Sequence, residues 1–464
     1  MPLDRRFLLK QLGAGFGWLA GSALAHAEGV RENPLAPRGG HFPARAKRII
    51  FLFMHGGPSQ IDTFDYKPLL ERDDGKPLPF EKPRIQFAAT GNLMRSPWKF
   101  AQHGQSGAWV SELFPEVAKH VDKLCFVKSL HGTNEAHGGA LLALHTGSAT
   151  FVRPSMGSWV VYGLGSENQD LPGFVTLCPT LGHGGVNNWS SAFLPGIYQG
   201  TPIGNASVPM KDARLAHLSN PELTTDLQRA ELDLLRELNA PHAAARPGDD
   251  ALEARIASWE LAFRMQAEAP GVMEISGESG ATRALYGIDD PMTENFGRQC
   301  LTARRLAEAG VRFVQCTHSY KWDQHTNLKA DHEKNAREVD KPIAGLLADL
   351  AARGLLEDTL VLWAGEFGRT PTVQGALDAS AGRDHNPHGF TVWMAGGGVK
   401  PGFSFGATDD YGFYAAVDKV HIHDFHATLL ALLGLDHEQL TFRHAGRDFR
   451  LTDVEGHVVR ELFA

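Results

Sequence analysis

Short apolar runs recur along this chain, each bounded by glycine, proline or polar residues. A short run without polar alternation predicts a strand that is buried on both faces, which is typical of a parallel sheet. Helical periodicity falls between the runs, as it does in βαβ units. The runs are residues 46–54, 124–127, 173–178, 311–316, 360–364 and 390–395. We therefore predict an α/β fold, with a doubly wound, mostly parallel sheet and helices on both faces.

The stretches between these runs carry helix patterns. Residues 110–121, 296–309, 331–353 and 423–433 show helical spacing, and the last three of these end at a glycine, which favours helix termination. Residues 220–278 contain two further helix-forming segments and no apolar run. We predict that they form a helical insertion on one domain, residues 28–464, rather than an independent domain.

Charge and hydropathy argue against nucleic-acid binding and against a membrane span. The formal net charge is -8, and no block rich in lysine or arginine interrupts it, which argues against nucleic-acid binding. After the N-terminal segment, no stretch approaches the roughly 18 apolar residues of a membrane span. We therefore predict neither a nucleic-acid partner nor a membrane span.

The N-terminal segment is typical of an export signal. Arg5 and Arg6 precede a modestly apolar run rich in glycine and alanine, and Ala25-His26-Ala27 provides a small-x-small cleavage site. Adjacent arginines with this composition resemble a twin-arginine signal. We expect residues 1–27 to direct export to the periplasm or the cell exterior; the alternative interpretation is a basic amphipathic helix.

The four cysteines point away from thiolate chemistry. Cys125, Cys178, Cys300 and Cys316 show no Cys-x-x-Cys spacing, so a zinc-thiolate site is not predicted. Three of them lie in apolar runs and are expected to be buried core thiols.

Acidic and histidine residues collect beside three of the predicted strands. Asp323 and His325 follow the run 311–316, and Glu366 follows 360–364. His385 and His388 come just before the run 390–395. Ligands bind at the carboxyl ends of parallel strands, and carboxylates with imidazoles are metal ligands. We predict a metal site from these five residues; a capped surface loop is the alternative for Asp323 and His325.

Two residues after the first run are further candidate ligands. His55 and Asp62 flank the turn Gly56-Gly57-Pro58, where glycine allows the backbone to approach a bound group closely. The alternative is that His55 closes the turn and Asp62 caps a helix. Arg369 is either an ion-pair partner of Glu366 or a guanidinium clamp for phosphate or sulfate oxygens.

The candidate catalytic residues are His137, Asn134 and Arg369. A loop after the run 124–127 delivers Asn134 and His137 to the start of an apolar helix. A helix N-terminus favours bound anions, and a nucleophile placed there is activated for attack on phosphorus or sulfur.

The order of these segments resembles the alkaline-phosphatase/sulfatase superfamily. Within it, the chain resembles a group of exported proteins that contain a sulfatase-like domain of unknown function. The segments that carry the resemblance are residues 51–59, 153–159, 162–168, 171–174, 322–325, 365–371 and 384–388. The resemblance implies an alkaline-phosphatase-like sheet with a bimetallic site at its carboxyl edge, where two ions hold an ester oxyanion and a nucleophile in line.

The resemblance also implies roles for individual residues. Asp323 and His325 match acidic and histidine ligands, and either His385 or His388 matches the last histidine. His55 or Asp62 takes the place of an aspartate on the first strand. The implied cofactors are divalent ions, with Zn, Ca, Mg and Mn all open, and the implied substrate is a small-molecule or glycan ester.

The chain departs from the superfamily pattern in three places. Glu366-Phe367 stands where sulfatases have an Asp-His pair, His137 occupies the nucleophile position, and no cysteine lies in a formylglycine motif. Two hypotheses follow. One is a metal-dependent hydrolase of phosphate or sulfate esters that does not depend on formylglycine; the other is a catalytically silent binding or assembly protein on the same fold.

Overall fold

A nine-stranded sheet forms the centre of the computed structural model, which describes residues 33–81, 91–246 and 249–464. The expected export signal, residues 1–27, lies outside the described residues. The strands of the sheet are β1 Arg48–Met54, β2 Leu124–His131, β3 Phe174–Leu177, β4 Thr201–Ile203, β5 Phe313–His318, β6 Thr359–Ala364, β7 Phe390–Ala395, β8 Phe403–Phe405 and β9 Val420–His421. All six predicted runs form strands of this sheet.

The strand order is β8-β2-β7-β6-β1-β5-β3-β4, and β9 also pairs with β2. Every pairing is parallel except the two made by β7, which runs antiparallel to both β2 and β6. The predicted α/β architecture with a mostly parallel sheet is therefore confirmed.

Helices cover both faces of the sheet. The described helices are α1 Gln60–Thr63, α2 Pro68–Arg72, α3 His137–Thr146, α4 Met156–Leu164, α5 Thr225–Ala244, α6 Asp250–Met273, α7 Gly280–Leu285, α8 Glu294–Glu308, α9 Leu328–Ala352 and α10 Ile422–Leu432. Strand β1 shows why two layers form: Ile50 and Leu52 belong to one core cluster, whereas Phe51 and Phe53 belong to the other. Residues from α8 and α9 fill the first cluster, and residues from α3, α4 and α10 fill the second.

The helix predicted for residues 110–121 is wrong. This segment instead contributes to strand Ala108–Ser111, which pairs with Phe100–His103, and to a 3₁₀ turn, Val117–Lys123. Pro115 lacks the N–H that a helix interior needs. The Asp340 carboxylate then accepts the backbone N–H groups of Glu116 and Val117 at 2.8 Å, which fixes the start of the turn.

The described part of the region 220–278 contains two helices, α5 and α6, which are longer than the two predicted helix-forming segments. Helix α6 buries Ala254, Leu261 and Met265 in a core cluster, whereas α5 has no buried residue. Among the described residues, no helix has both the length and the apolar character needed to cross a membrane.

The direction of β7 determines which residues meet at the edge of the sheet. Because β7 is antiparallel, its N-terminal end lies at the same edge as the carboxyl ends of β1, β5 and β6. The residues just before β7 form a two-stranded pairing, in which His385 lies opposite Arg369. Loops after three strands and before a fourth therefore converge on one edge.

Candidate metal centre

Four potential metal ligands meet at this edge. They are His137, Asp323, His325 and His385, and one donor atom from each lies within 4.8 Å of the others. His137 is the first residue of α3. Asp323 and His325 lie in the loop after β5, and His385 lies just before β7. We refer to these four residues as the carboxyl-edge cluster.

The donor atoms within the cluster are close together. His325 Nε2 lies 3.0 Å from His385 Nε2, and these nitrogens lie 3.0 Å and 3.1 Å from Asp323 Oδ1. His137 Nε2 lies 3.2 Å from the other carboxylate oxygen, Oδ2. Three imidazole nitrogens therefore surround one carboxylate.

The opposite nitrogen of each imidazole faces an oxygen acceptor. His137 Nδ1 lies 2.7 Å from Glu366 Oε1, His325 Nδ1 lies 2.5 Å from Gln374 Oε1, and His385 Nδ1 lies 2.6 Å from the carbonyl oxygen of Glu135. Each Nδ1 therefore carries a proton and donates it. Metal-binding histidines have this arrangement, because the hydrogen bond at one ring nitrogen leaves the lone pair of the other for the metal.

In the neutral state of the three imidazoles, the lone pairs at Nε2 face one another and a carboxylate. His137 Nε2 is buried, and Asp323 Oδ2, at 3.2 Å, is not aligned with it for a good hydrogen bond. Such a convergence is repulsive unless a proton or a cation lies between the donors. The residues present therefore fit a divalent ion held by three imidazoles and one carboxylate.

Arg369 holds Asp323 in place. Its guanidinium is fully buried and donates to Asp323 Oδ1 at 2.7 Å. It also donates to the carbonyl oxygens of Gly57 at 2.9 Å and Trp322 at 3.0 Å, and to that of Gly56. Among the described residues, the acidic partner of Arg369 is thus Asp323 rather than the expected Glu366, and its full burial favours a structural role over a clamp for phosphate or sulfate.

Glu366 lies outside the cluster and contacts it through His137. Its carboxylate accepts the backbone N–H of Gly56 at 3.0 Å and 3.1 Å, as well as the Nδ1 proton of His137. Burial opposes ionisation of Glu366, but the hydrogen bond from His137 and the nearby His55 outweigh it and lower the pKa to about 2. The structure thus places Glu366 behind His137, as the acceptor that orients it.

The pKa shifts at the site favour ionised carboxylates. Burial opposes ionisation of Asp323, yet the surrounding imidazoles and Arg369 hold its pKa far below the ordinary value. Burial would lower the pKa of His137, but Asp323 and Glu366 raise it to about 9. Asp323 also raises the pKa of His325. Two ionised carboxylates beside imidazoles form a site suited to a cation.

A second histidine group adjoins the cluster and consists of His55, His183 and the shared His137. The His55 Nδ1 accepts the backbone N–H of Tyr320 at 3.1 Å, so His55 Nε2 carries the proton and lies 3.3 Å from His183 Nδ1. Burial lowers the pKa of His55 to about 4. In this arrangement, His55 is a neutral donor to His183.

His183 was missed in the sequence. It lies in the glycine-rich loop after β3, with a φ of 48°, and its ring stacks on His137 at a centroid distance of 4.9 Å. The signal that could have found it is the pattern Gly182-His183-Gly184-Gly185, which places a lone imidazole among glycines at the carboxyl end of a predicted strand.

Besides His55, Glu366 and Arg369, three more predicted site residues lie outside the carboxyl-edge cluster. The Asp62 carboxylate is fully buried and pairs with Arg383 at 2.7 Å. His388 stacks on Phe413, with centroids 6.0 Å apart. Asn134 Oδ1 accepts the backbone N–H of Ala136 at 2.9 Å and thereby shapes the entry to α3. None of these three residues belongs to a candidate ligand group among the described residues.

The cluster opens into a cleft of about 460 Å³. Ala136, Gly138, His183 and Gln374 line this cleft together with the four candidate ligands. Side-chain exposure rises from 4% at His385 to 29% at His325, so the donors lie at the bottom of a space that a small molecule can enter.

Two comparisons with known proteins bear on the chain as a whole. A family model described as "Protein of unknown function (DUF1501)" matches residues 46–463. No protein of curated function matches the sequence.

Several solved structures resemble the chain at low sequence identity. The lipoteichoic acid synthase LtaP from Listeria monocytogenes is 10% identical, with 93% of this chain and 80% of that chain covered and a TM-score of 0.37. An alkaline phosphatase from the Antarctic bacterium TAB5 is 12% identical, with 84% and 98% covered and a TM-score of 0.33. The PsFucS1 sulfatase from Pseudoalteromonas sp. is 11% identical, with 85% and 69% covered and a TM-score of 0.33. With identities and TM-scores this low, these structures carry no inference about the activity of this chain.

Proposed function

The chain belongs to the family described as "Protein of unknown function (DUF1501)", and from its site we propose that the protein is a divalent-metal-dependent hydrolase of phosphate or sulfate esters. The proposal includes action outside the cytoplasm, which follows from the export signal expected in residues 1–27. It also includes a small-molecule or glycan ester as the substrate, in keeping with the superfamily that the sequence resembles.

The observation that carries the proposal is the common orientation of three imidazoles. His137, His325 and His385 each direct Nδ1 to an oxygen acceptor and Nε2 towards Asp323. Hydrogen bonds of this kind select the tautomer that binds metal. An ion pair with a single imidazolium would not require all three rings to be oriented in the same way.

The donor set favours some divalent ions over others. Three imidazole nitrogens and one carboxylate oxygen suit Zn²⁺ and neighbouring transition metals, whereas Ca²⁺ and Mg²⁺ prefer oxygen ligands. When bound, such an ion supplies Lewis-acid stabilisation of an ester oxyanion and a bound water of lowered pKa.

The protein's own groups around the cleft suit an anionic substrate. The first turn of α3 has no acidic residue, and its backbone N–H groups lack intrahelical acceptors, so this helix end favours an oxyanion. A Cβ added at Gly138, which lines the cleft, would meet nothing within 4 Å. The helix end is therefore open towards the space above the cluster.

The lining of the cleft favours water as the attacking group. Among the described residues, no serine, threonine or cysteine side chain lines the cleft, and all four cysteines are buried elsewhere. His137, at the nucleophile position implied by the sequence, belongs to the candidate ligand group. These observations support hydrolysis without formylglycine and a ligand role for His137.

Metal content and ester hydrolysis of matched variants test the proposal. We expect the purified protein to contain a divalent ion by elemental analysis and to hydrolyse members of a phosphate and sulfate ester panel. His385→Ala should lose both the ion and the activity. His388→Ala is the matched control, because His388 lies three residues away and outside the cluster, and it should keep both.

The same measurements separate the two hypotheses that the sequence left open. If the ion is lost in His385→Ala but the wild-type protein hydrolyses no ester, the hydrolase hypothesis is wrong and a metal-containing binding protein is favoured. Equal ion content in the wild-type protein, His385→Ala and His388→Ala would show that the carboxyl-edge cluster does not bind the metal.

A further inference from the structure

A third group of candidate ligands lies at the other end of α3. His421, His423 and Glu455 each place one donor atom within 4.8 Å of the other two. We propose that these three residues form a separate site for a divalent transition-metal ion of the zinc class. This site has a structural role that is independent of the cleft.

The orientation of His423 supports a metal ligand. His423 Nε2 lies 2.8 Å from the carbonyl oxygen of Gly147, so this nitrogen carries a proton and donates it. His423 Nδ1 is then the lone-pair nitrogen, and it lies 3.1 Å from Glu455 Oε2. A lone pair and a carboxylate repel each other at this distance. Either His423 is therefore an imidazolium, or a cation lies between His423 and Glu455. A carbonyl that orients the other ring nitrogen is the usual partner of a metal-bound histidine.

His421 supplies the second imidazole. Its Nδ1 lies 3.8 Å from Glu455 Oε2, and its ring centroid lies 4.9 Å from that of His423. The single lone pair of His421 Nδ1 accepts the backbone N–H of His423 at 3.3 Å, so an ion bound at Nδ1 would replace this long hydrogen bond. The start of α10 does not depend on that bond alone, because the backbone N–H of His421 donates to Asp424 at 2.9 Å.

The surroundings suit an ion that keeps water ligands. The side chains of His421 and His423 are 25% and 16% exposed, and that of Glu455 is 61% exposed. An exposed carboxylate adjusts its position at little cost, whereas His421 and His423 are held at the N-cap and in the first turn of α10. The donors are two nitrogens and one oxygen, a set that suits Zn²⁺ better than Ca²⁺ or Mg²⁺.

Helix α3 separates this site from the cleft. His137 begins the helix and Gly147 ends it, so the two sites are about 15 Å apart at a rise of about 1.5 Å per residue. An ion held by His421, His423 and Glu455 would join the start of α10 to the C-terminal segment, and His423 also bonds the end of α3. Its binding would therefore stabilise the folded protein as any ligand of the native state does.

This site can be tested by titrating the metal-free protein with zinc. A chromophoric competitor reports the binding, and thermal unfolding reports the effect on stability. We expect Glu455→Gln and His423→Ala each to bind one equivalent of Zn²⁺ fewer than the wild-type protein and to lose part of the zinc-dependent rise in Tm. Glu455→Gln alters an exposed side chain, so it remains informative if His423→Ala does not fold. His457→Ala, which removes an exposed histidine of the same segment, is the matched control and should bind as the wild type does.

The outcome is independent of the proposed hydrolase. His385→Ala should remove a different equivalent of zinc, and Glu455→Gln should leave ester hydrolysis unchanged. Wild-type stoichiometry and affinity in Glu455→Gln would overturn the second site and identify the pair of His423 with Glu455 as an ion pair of an imidazolium.

Discussion

At the residue scale, Gln374 determines which nitrogen of His325 faces the cleft. Its side-chain oxygen lies 2.5 Å from His325 Nδ1, so the Nε2 lone pair points to Asp323. We expect Gln374→Ala to weaken zinc binding by about 10–100-fold, the usual effect of removing a partner that orients a metal ligand. Competition with a chromophoric chelator measures this change. Gln374→Glu keeps the acceptor oxygen and should retain tight binding; equal affinity in Gln374→Ala and the wild type would contradict the role.

Sequence patterns predicted part of the site because some ligand residues lie close together in the chain. Asp323 and His325 follow a strand, and His385 precedes one, so each could be placed at a strand end. The structure brings these three together, and their metal binding stays a prediction. His137 was predicted to be catalytic rather than a ligand, because a residue that begins a helix has the same sequence pattern whether it binds a metal or attacks a substrate.

Other site residues carried no pattern of their own. His183 is a single imidazole in a loop, and Gln374 lies in an irregular segment between Arg369 and His385. Their roles depend on distances between segments that are far apart in the chain. Asp62 was predicted as a ligand, but in the structure it forms a buried ion pair with Arg383. The pattern around Asp62 did not indicate this pair, because Arg383 is distant in the sequence.

At the element scale, the direction of β7 is what completes the site. An apolar run that is buried on both faces has the same pattern in parallel and antiparallel strands, so the sequence located β7 but did not orient it. Because β7 is antiparallel, the residues before it, including His385, reach the carboxyl edge of the sheet. A parallel β7 would place His385 at the opposite edge.

The turn after β1 is the element on which the loop of Asp323 rests. Gly56 has a φ of 118°, and a Cβ at this position would lie 2.7 Å from the backbone nitrogens of Trp322 and Asp323. We expect Gly56→Ala to displace this loop, to abolish zinc binding at the carboxyl-edge cluster and to lower the free energy of unfolding. Elemental analysis and chemical denaturation measure the two effects.

A second glycine provides the matched control for that prediction. Gly354 also has a positive φ, of 70°, but a Cβ there would meet nothing within 4 Å. Gly354→Ala should therefore lose only about 1–2 kcal/mol, the cost of the left-handed conformation for a residue with a Cβ, and should bind zinc normally. Normal zinc binding by Gly56→Ala would show that the loop does not depend on this close approach.

At the scale of the whole molecule, buried histidines make the fold sensitive to acid. His145, His332 and His426 are almost completely buried, and burial lowers their pKa values to about 4, 3 and 3. In the unfolded chain these groups take up protons below the ordinary histidine pKa of about 6.5, whereas in the folded protein they stay neutral. The unfolded state therefore binds more protons between about pH 3 and 6.5, and stability falls as the pH is lowered through this window.

At pH 5, we expect each of these histidines to lower the free energy of unfolding by about 2 kcal/mol, because this pH lies about 1.5 units below the histidine pKa in the unfolded chain. His426→Gln tests this value, since the glutamine amide replaces the Nε2–H group that lies 2.7 Å from the Leu144 carbonyl but takes up no proton. Urea denaturation at pH 7 and pH 5 should show that His426→Gln loses about 2 kcal/mol less than the wild type between the two pH values. The exposed His457 gives the control, because His457→Gln should follow the wild type at both. An unchanged pH dependence in His426→Gln would mean that His426 is protonated in the folded protein, or that its burial is relieved by local opening before the molecule unfolds.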